Sequence, residues 1–130
     1  MPSSNHRVLC VEDHEDTRFM LSSLLREEDC DVQLVSNITE ALRQVEDEAY
    51  DLFILDKQLP DGSGVDLCRE LRRKFPQTPI IMYAATAFES DQRESFMAGA
   101  TDYVSKPGVV ELIEAVRRQF QRKKDFKSLS

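Results

Sequence analysis

Long apolar runs are missing from this sequence: no stretch approaches the roughly 20 residues of a membrane helix. The opening MPSSNHR has no apolar core of the kind a secretory signal needs, so a cytoplasmic protein is expected, with no membrane partner. Cysteine is sparse. Cys10, Cys30 and Cys68 are odd in number, stand in apolar surroundings and lack C-x-x-C spacing. That excludes an obvious disulfide framework or zinc knuckle and favours buried free thiols. Positive charge is also in deficit, 17 Lys and Arg against 24 Asp and Glu, for a net charge of −7. Nucleic-acid binding needs a basic footprint to neutralise phosphates, so nucleic acid is not an expected partner. Internal repeats, linkers and low-complexity segments are absent as well.

What is present suits one packed domain. The chain has 130 residues, of which 41% are hydrophobic and 32% charged, a balance foreign to disordered chains. The C-terminal end concentrates Arg117, Arg118, Arg122, Lys123, Lys124 and Lys127. A solvated helix end, favoured by the helix dipole, is the first reading of this cluster, ahead of a partner-contact patch.

Apolar periodicity divides the chain into alternating strands and helices. Residues 7–11 (RVLCV) read as a strand ending at Glu12-Asp13. A helix follows over 15–28, with Met20, Leu21, Leu24 and Leu25 on one stripe. Residues 31–35 form the second strand. Asn37 caps the next helix, with Glu40 completing a capping-box pattern, and that helix runs to about residue 48. The third strand, 51–55 (DLFIL), is continuously apolar, which suggests burial on both faces. After a PDGSG turn, a helix over 64–75 points Val65, Cys68, Leu71 and Phe75 inward. Residues 79–83 (PIIMY) form the fourth strand, 89–98 a helix closed by Gly99, and 101–104 the fifth strand. The last helix runs from Val109 to about Gln121, with Val109, Leu112, Ile113, Val116 and Phe120 inward.

Five alternations of strand and helix predict a parallel sheet with helices on both faces, and the order 2-1-3-4-5 suits five strands. In such a sheet a ligand site lies beyond the carboxyl ends of the strands where the order reverses, here between the first and third. Glu12 and Asp13 end the first strand, Asp56 ends the third, and Lys106 follows the fifth. Singly, each acid reads as an ordinary solvated strand end. Together they form a crevice of like charges that needs compensation. A divalent cation such as Mg²⁺, which takes oxygen ligands and often pairs carboxylates with a phosphate, would supply it.

The segments VEDHED (11–16), LDKQLPDGSG (55–64), PIIMYAAT (79–86) and AGATDYVSKP (98–107) carry a family resemblance. The chain resembles the receiver domains of bacterial two-component response regulators, chemotaxis receivers among them, from residue 7 to about 121. The resemblance implies a flavodoxin-like, doubly wound (βα)5 α/β fold with a parallel five-stranded sheet. Residues 1–6 and 122–130 would then be tails. It implies that Asp56 accepts a phosphoryl group from a histidine kinase or phosphotransfer protein. Asp13, Asp56 and the Gln58 backbone carbonyl would bind Mg²⁺, Glu12 would act through a metal-bound water, and Lys106 would pair with the phosphoryl oxygens. It implies a signalling domain rather than an enzyme, working through an unidentified downstream protein. Docking, and homodimer formation, would use the face of the fourth helix, fifth strand and fifth helix. No output domain is expected to follow.

Several positions depart from the family. Ala84 stands where receivers usually carry a Thr or Ser whose hydroxyl bonds the phosphoryl group, and a methyl group cannot donate. Thr86 is a candidate substitute. Tyr103 matches the family's switching aromatic but reads equally as a half-buried strand tyrosine; with Ala84 beside it, an inward ring is expected even without phosphate. Lys57 directly after the acceptor is unusual, Gly108 replaces an aromatic, and Gln58 and Thr86 occupy positions that line the path of the hydrolytic water. His14 reads as a solvated helix start, and His6 is not expected to carry phosphate.

Three competing readings remain. A flavodoxin-type cofactor binder would not place EDHED where a phosphate must sit. A haloacid-type phosphatase wants a second acid where this chain has Gln58. A degenerate receiver acting as a phosphorylation-independent binding module is kept alive by Ala84. Ala84→Thr is expected to alter the structural response to a phosphoryl mimic, read by amide exchange along the fourth strand and helix. Matching responses in the two proteins would show that residue 84 plays no part in the readout.

Overall fold

The computed structural model describes residues 6–129, with side chains described through residue 121. Its elements follow in the order β1 His6–Val11, α1 Glu15–Glu27, β2 Cys30–Val35, α2 Ile38–Asp47, β3 Leu52–Leu55, β4 Gln58–Leu59, β5 Gly62–Ser63, α3 Gly64–Lys74, β6 Ile80–Ala84, α4 Glu89–Ala98, β7 Asp102–Ser105 and α5 Val109–Leu129. Five strands form one sheet in the order β2-β1-β3-β6-β7, every neighbouring pair parallel. This is the expected 2-1-3-4-5 order, because β4 and β5 are a separate antiparallel pair inside one loop.

The two-residue period of the strands sorts their side chains onto two cores. Leu9, Val11, Phe53, Leu55, Ile80 and Met82 pack with residues of α2, α3 and α4. Val8, Cys10, Leu52, Ile54, Ile81 and Tyr83 pack with Leu21 and Leu25 of α1 and Leu112, Ala115 and Val116 of α5. All four residues of β3 are buried, as its continuous apolar run predicts. Each fully buried leucine or isoleucine here contributes about 1.5–3 kcal/mol relative to exposure. All three cysteines are buried and free; burial pushes the Cys30 and Cys68 thiols up to about 11 and raises Cys10 further.

The caps follow the sequence closely. The Asn37 side chain accepts from the Glu40 amide at 2.8 Å, while the Glu40 carboxylate reaches back to the Ser36 amide at 3.2 Å, one residue beyond the simple box. Gly99 closes α4 with a left-handed φ of 117°. Two differences stand out. The PDG segment forms a hairpin, β4 and β5, where a plain turn was expected. The last helix continues to Leu129 instead of stopping near Gln121, because apolar periodicity ends at Phe120 while good helix formers continue. The basic side chains of Arg122, Lys123, Lys124 and Lys127 lie outside the described residues, as do residues 1–5 of the expected 1–6 tail, whose last residue, His6, instead opens β1. His6 stacks on Phe120 with ring centroids 3.8 Å apart. No helix among the described residues is long and apolar enough to cross a membrane.

α4 is shallowly embedded. Of its ten residues only Ser95 and Ala98 are buried, and the Ser95 hydroxyl finds no hydrogen-bond partner. Its N-cap, Phe88, supplies no side-chain bond. Its C-terminus is held from α3: the Arg72 guanidinium donates to the Gly99 carbonyl at 2.8 and 3.0 Å and to the carbonyls of Phe75, Pro76 and Thr78 at 2.9, 3.1 and 2.7 Å. Arg72→Met keeps the apolar stem but orphans these acceptors, and is expected to lower stability by about 2 kcal/mol in urea unfolding. A variant of wild-type stability would mean that water satisfies the carbonyls equally well.

Candidate functional site

The strand order reverses between β1 and β3, and their register decides what stands at the reversal. Val11 pairs with Leu55, so the next residues, Glu12 and Asp56, leave the sheet side by side. The Asp56 amide donates to the Val11 carbonyl at 2.9 Å and the Glu12 amide to the Val35 carbonyl at 2.9 Å, which prolongs the ladder by one residue. Arg18 of α1 donates to the Glu12 carbonyl at 2.9 Å, and the Glu12 carboxylate accepts from the His14 amide at 3.0 Å. Glu12 is 2% exposed and Asp56 9%. Asp13 is exposed beside them, and one oxygen from each of Glu12, Asp13 and Asp56 lies within 4.8 Å of the others.

Lys106 reaches this cluster from the far side. Ala84 pairs with Ser105 across β6 and β7, and the Lys106 amide donates to the Ala84 carbonyl at 2.7 Å. Its ammonium donates to Glu12 at 2.7 Å and to Asp56 at 3.2 Å, and lies 5.6 Å from the centre of the Tyr83 ring. Tyr83 in turn donates to the Pro107 carbonyl at 2.8 Å, steadying the turn that aims the lysine. Burial, then the charge of Glu12, raise the Asp56 carboxyl above the usual carboxylate range, against the pull of Lys106. Burial opposes the charge on Lys106, but the hydrogen bond to Glu12 and the field of Asp56 outweigh it and raise its pKa.

The loop after Asp56 is tightly constrained. A Cβ on Gly64 would fall on the Asp56 carbonyl oxygen, so this glycine serves close approach, not an unusual backbone angle. Gly62 supplies the positive φ, 152°. Asp61 accepts from the amides of Ile38 and Thr39 at 2.9 and 3.1 Å, anchoring the hairpin on the N-terminus of α2. The bond to Ile38, first, holds the Asp61 carboxyl below its usual range. Gln58 is exposed on β4, two residues after Asp56.

A cleft of about 480 Å³ opens over the acids, lined among others by Asp13, His14, Asp56, Gln58, Ala84 and Lys106. Ala84 is buried at the end of β6, with only a methyl to offer. Thr86 also lines the cleft, but its hydroxyl donates to Asp91 at 2.7 Å. Tyr103 is half-buried against the core, and its hydroxyl donates to the Thr86 carbonyl at 2.9 Å. His14 is exposed. The sequence reading missed the ion pair between Lys57 and Asp91, the seat of Asp61 on α2, and the steadying role of Tyr83. Lys57 was visible as an oddity, but its partner lies 34 residues away, beyond any local spacing rule.

Comparison with known proteins bears on the family and the fold. The family model described as the response regulator receiver domain matches residues 8–117. The sensory transduction protein RegX3 of Mycolicibacterium smegmatis is 38% identical over 119 residues, 91% of this chain and 52% of that protein. The two-component response regulator PhoP of Pseudomonas aeruginosa is 39% identical, over 84% of this chain and 48% of that protein. The chain thus spans about half the length of these relatives. A CheY-like receiver from Methanospirillum hungatei superposes with a TM-score of 0.86 at 27% identity, covering 94% of this chain and 99% of that one. The receiver domain of the sensor histidine kinase PA1611 from Pseudomonas aeruginosa, with magnesium coordinated in its active-site cleft, gives 0.80 at 30% identity, over 89% and 98%.

A carboxyl raised above its unfolded value costs stability once ionised; the cost is full above the folded pKa and relieved as pH falls through it. Asp56→Asn should therefore raise the thermal midpoint by a few degrees at pH 7 in metal-free buffer. Mg²⁺ should raise the wild-type midpoint and leave that of Asp56→Asn nearly unmoved. A lower midpoint for the variant without metal would show that pairing with Lys106 outweighs the crowding of acids.

Proposed function

The chain belongs to the response regulator receiver family, and on that footing we propose that Asp56 accepts a phosphoryl group from a phosphohistidine of a kinase or phosphotransfer protein. The observation that carries this reading is the bridge of Lys106 between Glu12 and Asp56, beneath an open cleft. An Asp56 oxygen attacks phosphorus. The new P–O bond forms as the P–N bond breaks, and the imidazole leaves with the electron pair of the broken bond. Because phosphoryl transfer is mainly alignment and charge neutralisation, few residues are needed. Glu12 holds the Lys106 ammonium in place, and Lys106 meets the incoming phosphoryl oxygens. The loop tied down by Asp61 and Gly64 keeps the Asp56 carboxylate aimed outward.

The donor set fits Mg²⁺. Its side-chain donors are all carboxylate oxygens, and the raised Asp56 carboxyl marks an excess of negative charge that a hard cation would offset. Asp13, Asp56 and the Gln58 carbonyl would hold the ion, with Glu12 acting through a water. Bound there, it would neutralise charge on the transferring group.

In this reading the signalling unit spans residues 7–121, works in the cytoplasm and passes its state on by protein contact. Relay and homodimer contacts fall on the α4–β7–α5 face; α4 and α5 expose Phe96, Met97 and Val110. A second reading, a binding module independent of phosphate, draws on the methyl group at Ala84. The two are separated by incubation with Mg²⁺ and acetyl phosphate followed by intact mass measurement. One phosphoryl adduct is expected on wild type and none on Asp56→Asn or after metal chelation. An unmodified wild type would favour the binding module, and an adduct on both proteins would mean another acceptor.

A further inference from the structure

Ala84 leaves the site without the side chain that would report its state, yet one continuous set of contacts joins the acceptor loop to α4 and β7. Lys57, the residue after Asp56, lines the same cleft and forms an ion pair with Asp91 in the first turn of α4, with Glu94 at 3.8 Å. Its side chain is only 20% exposed, so the pair is partly shielded from solvent. Asp91 accepts from the Thr86 hydroxyl at 2.7 Å, which lies 3.4 Å from the Tyr103 hydroxyl. The Thr86 carbonyl accepts from Tyr103 at 2.9 Å and from Ser105 at 3.2 Å. α4 has little else to hold its N-terminal half: no side-chain cap, no buried apolar residue before Ala98, and an unpartnered hydroxyl at Ser95.

We propose that Lys57 is the positioning residue that couples the acceptor to α4 in this chain, doing by charge what a hydroxyl at residue 84 cannot. The inference rests on the acceptor reading of Asp56. A phosphoryl group there replaces the single negative charge of the carboxylate with one approaching −2, and spreads it outward, within one residue of a lysine on a flexible four-carbon stem. The ammonium is then shared between Asp91 and the new anion. The first turn of α4 loses part of its charged tether, and the Asp91–Thr86–Tyr103 contacts loosen with it. α4 is suited to the role of two-state element, because so little apolar burial opposes its movement.

The test is amide hydrogen exchange with and without Mg²⁺ and beryllofluoride, together with intact mass after acetyl phosphate. In wild type the phosphoryl mimic should raise exchange several-fold over residues 89–94. In Lys57→Met exchange there should already be high and respond little to the mimic, while Lys57→Arg retains the response. Asp91→Asn should resemble Lys57→Met, and the double variant should add nothing further, as expected for a shared contact. A Lys57→Met protein that forms the adduct and shows a wild-type α4 response overturns the coupling and leaves the acceptor intact. A wild type that forms no adduct overturns the acceptor reading and the coupling with it.

Discussion

Parallel strands that keep step to their last residues hold Glu12 and Asp56 next to each other at the carboxyl end of a dry sheet. Two carboxylates in that position repel, and the backbone gives them no room to separate. The rest of the site follows from this constraint. Lys106 is drawn into contact with both acids, and the raised Asp56 carboxyl registers the charge left over after that pairing. A folded structure that retains such a cost at one place is consistent with chemistry that uses the charge rather than with packing that merely tolerates it.

The acid pair also governs the loop that follows. Asp56 cannot turn away, so the chain must bend at once, and it does so with Gly64 pressed on the Asp56 carbonyl and Asp61 set on the start of α2. Strand, hairpin and the N-terminus of α2 are therefore tied together. α4 is different. Its C-terminus is gripped by the carbonyl contacts of Arg72, while its first turn depends on charge. A firm end and a soft end on one helix allow it to pivot rather than detach.

Elements, strand order and the acid set were legible because each rests on local pattern. LFIL announced a strand buried on both faces, Asn37 and Gly99 announced caps, and acids at strand ends became a site once the order 2-1-3-4-5 was assumed. What stayed hidden was set by tertiary distance. Nothing near Lys57 names Asp91, and nothing near Asp61 names the amides of Ile38 and Thr39. Asn37 already accounted for the cap of α2, so a second cap from another loop had no signature. The end of α5 was misjudged for the opposite reason: a helix can persist on propensity after its apolar stripe has stopped.

The shallow seat of α4 has a consequence for the history of such a chain. Two of its ten residues are buried and Asp91 is tied to Lys57 and Thr86, so substitutions at the other seven encounter little resistance from folding. A surface that contributes so little to the core is free to diverge. Two copies of this domain in one cell can then differ on this face while sharing the same acids, lysine and sheet.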